Sequence, residues 1–495
     1  MNNIIPQKLP EVTFKTIPFK HQDEVLQLSW AREYYALLME MGTGKSKVII
    51  DTIACLAKEK QINGVIILAP KGVYLNWIKS EIPAHMPDEI DYFVAPWKSL
   101  MSKDEEKKFK QLLKAPADGV IDVMVMNIEG LNVKRGFQAV IDFLETHETI
   151  SIIDESTCIK SFKAERTRKA WTVGKLSKFR RIMTGTPITQ NPLDLFAQFQ
   201  FLSPGCLKFT SFSAFRSYYA QMGMQICGLK QFPKITGFRN LEQLQRDVIP
   251  ISYRKLKTEC LDLPPKVYQT RYIELEPEQR KIYDKFKKEA MIELNGSTVT
   301  SVLALTTIMK LQQIACGHVV DDTGNTIDLP NGRMEALGEI LQEVSGKVII
   351  WAIFRRDVEQ IMEMLKREYG PDSAVSYYGG TNDKDRAIAL DRFRNDPTCN
   401  YFVGTASTGG MGITLIESHT TIYYSNGYNL MYRLQSEDRN HRIGQTKSVD
   451  IIDIVCEKTV DERITKLLRD KKDLASLVLD NWKDVIFGEV QDEFN

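Results

Sequence analysis

Met41-Gly42-Thr43-Gly44-Lys45-Ser46 lies between two apolar runs, Tyr34 to Met39 and Val48-Ile49-Ile50. That order predicts strand, glycine loop and helix. A loop of this kind turns successive backbone N–H groups toward one point at the positive end of a helix. Gly42 and Gly44 let the chain come close to an anion, because no Cβ stands in the way. Lys45 would reach the outer phosphates of a nucleotide, and the Ser46 hydroxyl would hold Mg²⁺. The pattern G-x-x-x-x-G-K-[ST] wants glycine at position 39, where this chain has Met39. Read alone, the stretch fits an ordinary strand–helix turn equally well.

Working outward, short apolar runs recur at Val65 to Leu68, Val120 to Met126, Thr149 to Ile153 and Arg181-Ile182-Met183, separated by longer helical stretches. Such an alternation predicts an α/β fold with a parallel sheet covered on both faces. Ligands of such sheets bind outside the carboxyl ends of the strands, and the polar, chemistry-bearing stretches fall there. Ile152-Ile153 runs into Asp154-Glu155-Ser156-Thr157. Carboxylates beside a core are costly unless a cation or water uses them. Asp154 could hold Mg²⁺ and Glu155 could orient or deprotonate an attacking water, although a helix N-cap pair after a strand has the same appearance. Thr184-Gly185-Thr186-Pro187 ends the next strand, where hydroxyls could sense a γ-phosphate and the carboxylates together; a simple turn explains it as well. Gln22, in PFKHQDEV, has an amide suited to the edge of adenine, but any helix start can carry a glutamine. Ala69-Pro70-Lys71-Gly72 and Asn76-Trp77 read as a strand end and a buried tryptophan, and Ser102 to Lys114 as a solvated helix face.

Composition narrows the class. The 495 residues are too many for one core and suggest two to four domains. Hydrophobic content of 43% and charged content of 26% are those of a soluble globular protein. The net charge of +1 gives no overall basic signature, so a nucleic-acid surface would have to be a local patch. The eight cysteines form no C-x-x-C pair, which argues against zinc and disulfides. The N-terminal MNNIIPQKLPEV has no signal pattern, and no apolar run reaches the ~18 residues a membrane span needs. A cytoplasmic location is therefore expected, with no membrane partner.

Taken in order, PFKHQ, MGTGKS, ILAPKGVYLNW, IIDESTCIK and RRIMTGTPITQN resemble motifs Q, I, Ia, II and III of the superfamily-two helicases, in the form found in Swi/Snf-type ATPases. Ile159-Lys160 and Asn191 are particular to that form. The second half adds YRKLK and LPPK as a crossover between lobes, and LQQIACGH as part of a helical insertion. Thr405 to Gly412 resembles motif V, and Gln435 to Gln445 resembles motif VI. The resemblance covers roughly residues 15 to 470. Within motif VI, Arg439 and Arg442 lie three apart, so on a helix they would share one face. Two guanidiniums presented together stabilise charge in phosphoryl transfer.

The resemblance implies two RecA-like lobes with parallel sheets and helical protrusions, over residues 1–255 (protrusion about 195–250) and 256–495 (protrusion about 275–330). It implies ATP with Mg²⁺ in a cleft: Gln22 at the adenine, the 42–46 loop and Lys45 at the phosphates, Ser46 and Asp154 at the metal, Glu155 at the water, Arg439 and Arg442 from the second lobe. It implies a double-stranded DNA translocase, with Lys71, Asn76 and Trp77 gripping the backbone from one lobe and Thr405 and Thr408 from the other. Protein partners are open. Two departures stand out: Ser156-Thr157 where the family has Ala-His, and Ser425 to Leu430 where it carries an Asp and Trp-Asn-Pro. They leave room for an ATP-regulated clamp on DNA or protein, or for annealing or unwinding on forked DNA or RNA. With the resemblance filling the chain, no stretch is expected to form a chromatin-reading or nuclease module.

Overall fold

The computed structural model describes residues 6–466 and Leu468, apart from Gln190, residues 228–229, 297–300, 321–323, 410–411 and Tyr428. Gly410 and Met411 of the expected motif V and Tyr428 of the divergent tract therefore lie outside the described residues. The chain forms two compact units, one built on Met1–Gly223 and Pro233–Asp262, the other on Leu263–Ser476.

In the first unit the apolar runs become strands β1 (Tyr34–Met39), β2 (Gly64–Ala69), β3 (Tyr92–Trp97), β4 (Ile121–Asn127), β5 (Thr149–Asp154) and β6 (Phe179–Met183). Two further strands, β7 (Ala220–Cys227) and β8 (Lys230–Phe238), pair with each other outside the main sheet and fall partly in each unit, and β9 (Ser252–Lys255) returns to the first unit's sheet. The sheet order is β3-β4-β2-β5-β6-β1-β9, with every pair parallel. Parallel pairing puts all the carboxyl ends on one edge. Side chains alternate between the faces: Ala36, Leu38, Ile66 and Leu68 pack into one core, and Tyr35, Leu37, Val65 and Ile67 into another. Both faces are covered by helices, which is why the strands are apolar throughout.

The second unit has β10 (Lys266–Ile273), the small antiparallel pair β11 (His318–Val320) and β12 (Thr326–Asp328), then β13 (Lys347–Ala352), β14 (Ala374–Tyr377), β15 (Tyr401–Thr405), β16 (Ser418–Tyr423) and β17 (Val449–Cys456). Its parallel sheet runs β10-β17-β16-β13-β15-β14. Val348, Ile350 and Val403 fill one face, and Ile349, Trp351 and Phe402 the other.

One local feature differs from the sequence expectation. The 195–250 protrusion is not purely helical: helices Asp194–Leu202, Phe212–Tyr219 and Leu241–Val248 flank the β7–β8 pair. Because β9 hydrogen-bonds to β1, with Arg254 Nη1 donating to the Leu38 carbonyl at 2.9 Å, residues 252–255 complete the first sheet before the chain moves on. Among the described residues no helix is long and apolar enough to cross a membrane, and no group of His, Cys, Asp and Glu has the arrangement of a metal cage.

Candidate active site

Strand β1 ends at Met39, and the loop that follows turns through Gly42 (φ +77°) and Gly44 (φ +85°) into the helix Lys45–Lys58. Met39 is still in the strand, fully buried in the core. It does not adopt a positive φ, so the first glycine of the strict pattern is not needed here. Gly44 cannot be replaced as easily: besides its left-handed backbone, a Cβ there would sit 2.0 Å from Gln22 Nε2. The loop is internally braced. Thr43 Oγ1 donates to the Glu40 carbonyl at 2.7 Å, and Lys45 Nζ folds back onto the carbonyls of Met39 and Glu40 at 3.0 and 3.2 Å. Behind it, the Gln22 amide donates to the Thr43 carbonyl at 3.1 Å while its oxygen accepts from the Phe19 N–H, and His21 Nε2 meets the same Thr43 carbonyl at 2.8 Å. Gln22 thus presses on this glycine loop with part of its hydrogen-bonding capacity already engaged by protein.

Three neighbouring strands, β5, β6 and β1, deliver the other groups to the same edge. Asp154 is the last residue of β5 and is 6% exposed. Burial first, then the adjacent Glu155 charge, pushes its carboxyl up to about 7, while Trp77 and Lys45 pull the other way. The influence of Lys45 puts the loop lysine and this carboxylate within electrostatic reach. Glu155 is a non-glycine residue at φ +50°. Such a backbone persists only when its surroundings hold it, and Thr184 Oγ1, at the end of β6, donates to Glu155 Oε2 at 3.0 Å. Ser156 is buried and donates to Gln198 Oε1 at 2.6 Å; Gln198 in turn donates to the Pro187 carbonyl at 2.7 Å. The serine standing in the family's third place is thus a structural tie between two motif loops, and Thr157 beside it is half-buried. Gln198, from a phenylalanine-rich helix, carried no sequence signal.

The Asp154 carboxylate, buried at the end of β5 beside Glu155, is an oxygen donor of the kind that fits a divalent cation. Such an ion would be held by Asp154 with the Ser46 hydroxyl and would neutralise phosphate charge.

The expectation that Trp77 grips nucleic acid does not survive its burial. The indole is 1% exposed and its Nε1 donates to Asp154 Oδ2 at 2.9 Å, so it has no surface to offer a backbone. Lys71 is exposed, and Asn76 is half-buried with its amide on Glu81 at 3.2 Å.

In the second unit Thr405 ends β15 and is largely buried, and Thr408 lies half-buried in the turn Ala406–Gly409. The helical pairing of Arg439 and Arg442 is corrected: the helix Leu430–Glu437 stops before them, and residues 438–444 form turns. The cause is competition from the neighbouring loop. Arg439 donates to the carbonyls of Gln435 and Ile413 at 2.7 and 3.0 Å, the buried Asn440 amide reaches Thr421 Oγ1 at 3.0 Å, and Gly444 turns at φ +99°. Arg442, half-buried, donates to Thr414 Oγ1 at 2.8 Å. The divergent tract is tied into its own unit at two places: Ser425 bridges the Ile353 N–H and Asp357, and Asn426 joins Asp453 and Arg433. Arg433, not singled out in the sequence, lies 3.5 Å over the Tyr423 ring and pairs with Glu437 and Asp453. Its only sequence signal is the i,i+4 spacing to Glu437.

Residues 21–319 match the SNF2-related domain, and residues 332–444 match the helicase conserved C-terminal domain. The chain belongs to the SNF2-related family. Among its relatives is a protein of Mycoplasma genitalium described as an uncharacterized ATP-dependent helicase, 26% identical over 446 residues, covering 89% of this chain and 40% of the relative. A SWI/SNF chromatin-remodeling complex subunit of Schizosaccharomyces pombe is 28% identical over 465 residues, covering 89% of this chain and 26% of its own. The chain therefore spans well under half the length of these relatives. A solved Sulfolobus solfataricus SWI2/SNF2 ATPase core in complex with dsDNA is similar at 22% identity and a TM-score of 0.43, covering 96% of both chains.

Proposed function

We propose that this SNF2-related chain is an ATP-hydrolysing motor acting on double-stranded DNA. One observation carries the reading: the phosphate-type loop, Lys45, the buried Asp154 and the Thr184-held Glu155 converge on the carboxyl ends of three neighbouring parallel strands. That convergence supplies what phosphoryl transfer asks of a protein, positioning and charge. Lys45 would exchange its carbonyl partners for β- and γ-phosphate oxygens, and Glu155 would orient the attacking water. Gln22 would report nucleotide to the loop it touches. Mg²⁺, held by Ser46 and Asp154, would offset the phosphate charge.

The second unit would contribute Arg439 and Arg442, making hydrolysis dependent on closure of one lobe against the other. A cycle of closing and opening moves the protein along a backbone if each lobe holds phosphates in turn. Lys71 and Asn76 on one unit, and Thr405 and Thr408 on the other, are the proposed holds. Contacts of this type carry little base information, so binding is expected to be salt-sensitive and tolerant of sequence. The names of the relatives, an ATP-dependent helicase and a chromatin-remodeling subunit, support the reading.

The test is ATP hydrolysis with and without duplex DNA. A steep rise with duplex, abolished in Lys45→Ala and in Glu155→Gln, is expected; a rate indifferent to every nucleic acid would refute it. Single-stranded, forked and RNA substrates separate translocation on duplex from unwinding or annealing. The half-buried Thr157, which has no imidazole to offer, favours one alternative, an ATP-regulated clamp. Displacement of the third strand of a triplex would eliminate that clamp.

A further inference from the structure

Trp77 belongs to a stretch whose other side chains are half-buried or exposed, yet it is among the most deeply buried large side chains of the described residues. Its indole N–H donates to Asp154 Oδ2 at 2.9 Å. An indole offers one donor and no acceptor, so this bond has a single purpose. The backbone around it is unusual as well: Tyr74–Asn76 passes into one π-helical turn, Trp77–Glu81. Such turns are rare and recur at functional sites. The turn is braced by the Asn76 amide on Glu81 at 3.2 Å, and it carries the exposed Lys79 and Ser80. Exposed Lys71 lies on the loop that leads into it, after β2, which pairs with β5. One side chain therefore joins a partly exposed turn, which carries Lys79 and Glu81, to the carboxylate at the end of β5.

We propose that Trp77 is a positioning residue that holds the Asp154 carboxylate in its metal-binding rotamer and ties it to the turn on which nucleic acid would bear. A backbone pulling on Lys71 or Lys79 then shifts Asp154 through the indole. This rests on the ATPase reading for the role of Asp154. Hydrogen-bond partners of metal-holding carboxylates typically set affinity or activity within 10–100-fold.

The test replaces the N–H and little else. Trp77→Phe removes the donor and keeps an aromatic ring. Incorporation of 3-benzothienylalanine at position 77 keeps the bicyclic shape with sulfur in place of N–H, so packing is preserved if phenylalanine proves too small. Three quantities are read: the Mg²⁺ concentration giving half-maximal binding of a fluorescent ATP analogue, the Kd for a labelled duplex without nucleotide, and the ratio of ATPase rates with and without duplex. The expected result is a Mg²⁺ requirement raised about tenfold, a stimulation ratio lowered about tenfold, and a duplex Kd unchanged within about twofold. An unchanged Mg²⁺ requirement in variants that unfold at the wild-type temperature would reduce Trp77 to packing and overturn the proposal. A weakened duplex Kd with an unchanged Mg²⁺ requirement would overturn it too, by making Trp77 a nucleic-acid contact. If the wild type is not stimulated by any nucleic acid, the motor reading falls, and the Mg²⁺ comparison alone decides whether Trp77 positions Asp154.

Discussion

Glu155 holds φ at +50°, a conformation that costs a non-glycine residue roughly 1–3 kcal/mol. Thr184 Oγ1, donating to Glu155 Oε2 at 3.0 Å, is one contact that holds the side chain of this strained residue. Removing that hydroxyl in Thr184→Val leaves the volume nearly unchanged and frees the carboxylate. The expected result is a fall in kcat of about tenfold with KM for ATP within about twofold, the signature of a lost transition-state contact; steady-state ATPase kinetics check it. A second residue-scale prediction concerns Asp357, fully buried in the other unit, where it accepts from Ser425 Oγ at 3.0 Å and lies 3.4 Å from His318. Burial raises its carboxyl from 3.8 to about 7, against the opposing pull of Ser425 and Arg333. The native state thus keeps a proton that the unfolded chain releases, and stability falls as pH rises from about 4 to about 7. His318, whose pKa burial lowers from 6.5, acts in the opposite sense at lower pH, so the interval from its ordinary value upward reports Asp357 most cleanly. Asp357→Asn is expected to lose less Tm than the wild type between about pH 6.5 and 8, read by thermal unfolding across that range.

At the scale of elements, the helix Lys45–Lys58 that follows the glycine loop carries a buried ion pair, Lys47 Nζ to Asp51 Oδ2 at 2.6 Å. Burial still dominates and raises Asp51 to about 6. Two charges removed from water do not stabilise the helix strongly, but one left alone would harm it. Asp51→Ala is expected to destabilise by about 3–5 kcal/mol, while Lys47→Met with Asp51→Leu is expected to be near neutral; denaturant unfolding of the two variants separates the cases. The same scale shows what could be read beforehand. Strands such as Val65 to Leu68 and Thr149 to Ile153 are apolar and β-branched because both sheet faces are covered, so composition alone marks them. The turn through Gly42 and Gly44 into the helix Lys45–Lys58 was legible because a tight strand-to-helix turn at positive φ calls for glycines. The β7–β8 pair was not: Gly223, Pro233 and Gly237 are poor strand residues, and nothing in their pattern alternates. Nor was the end of the helix Leu430–Glu437, because long-range bonds from Arg439 and Asn440 to residues 413 and 421 override the local spacing. Trp77 illustrates the same limit, since its partner Asp154 lies 77 residues away in sequence.

For the whole molecule, the two units each bury their own cores, and the groups proposed for hydrolysis are divided between them. Arg439 and Arg442 allow that division to be tested, because their surroundings give them different duties. Arg439 is 9% exposed and spends Nε and Nη1 on backbone carbonyls of its own unit, so its removal leaves the Gln435 and Ile413 carbonyls without these donors. Losing a buried hydrogen-bond partner costs about 1–3 kcal/mol, and Arg439→Ala is expected to lower Tm by several degrees along with activity. Arg442 is half-buried and its Nη1 contacts a threonine hydroxyl. Arg442→Ala is therefore expected to leave Tm within about one degree, consistent with the small effect of substitutions outside a core. If Arg442 acts only when the two units close on nucleotide, its loss lowers kcat by about 10²–10³-fold, the range seen when a guanidinium or other preorganised donor is withdrawn from a developing charge. Affinity for a fluorescent nucleotide stays within about threefold, since Gln22, Lys45 and Ser46 belong to the first unit and do not need the second to bind. Lys45→Ala, by contrast, weakens binding and turnover together. A variant lacking Arg442 that hydrolyses ATP at the wild-type rate would place the whole of the chemistry in the first unit and remove closure from the mechanism.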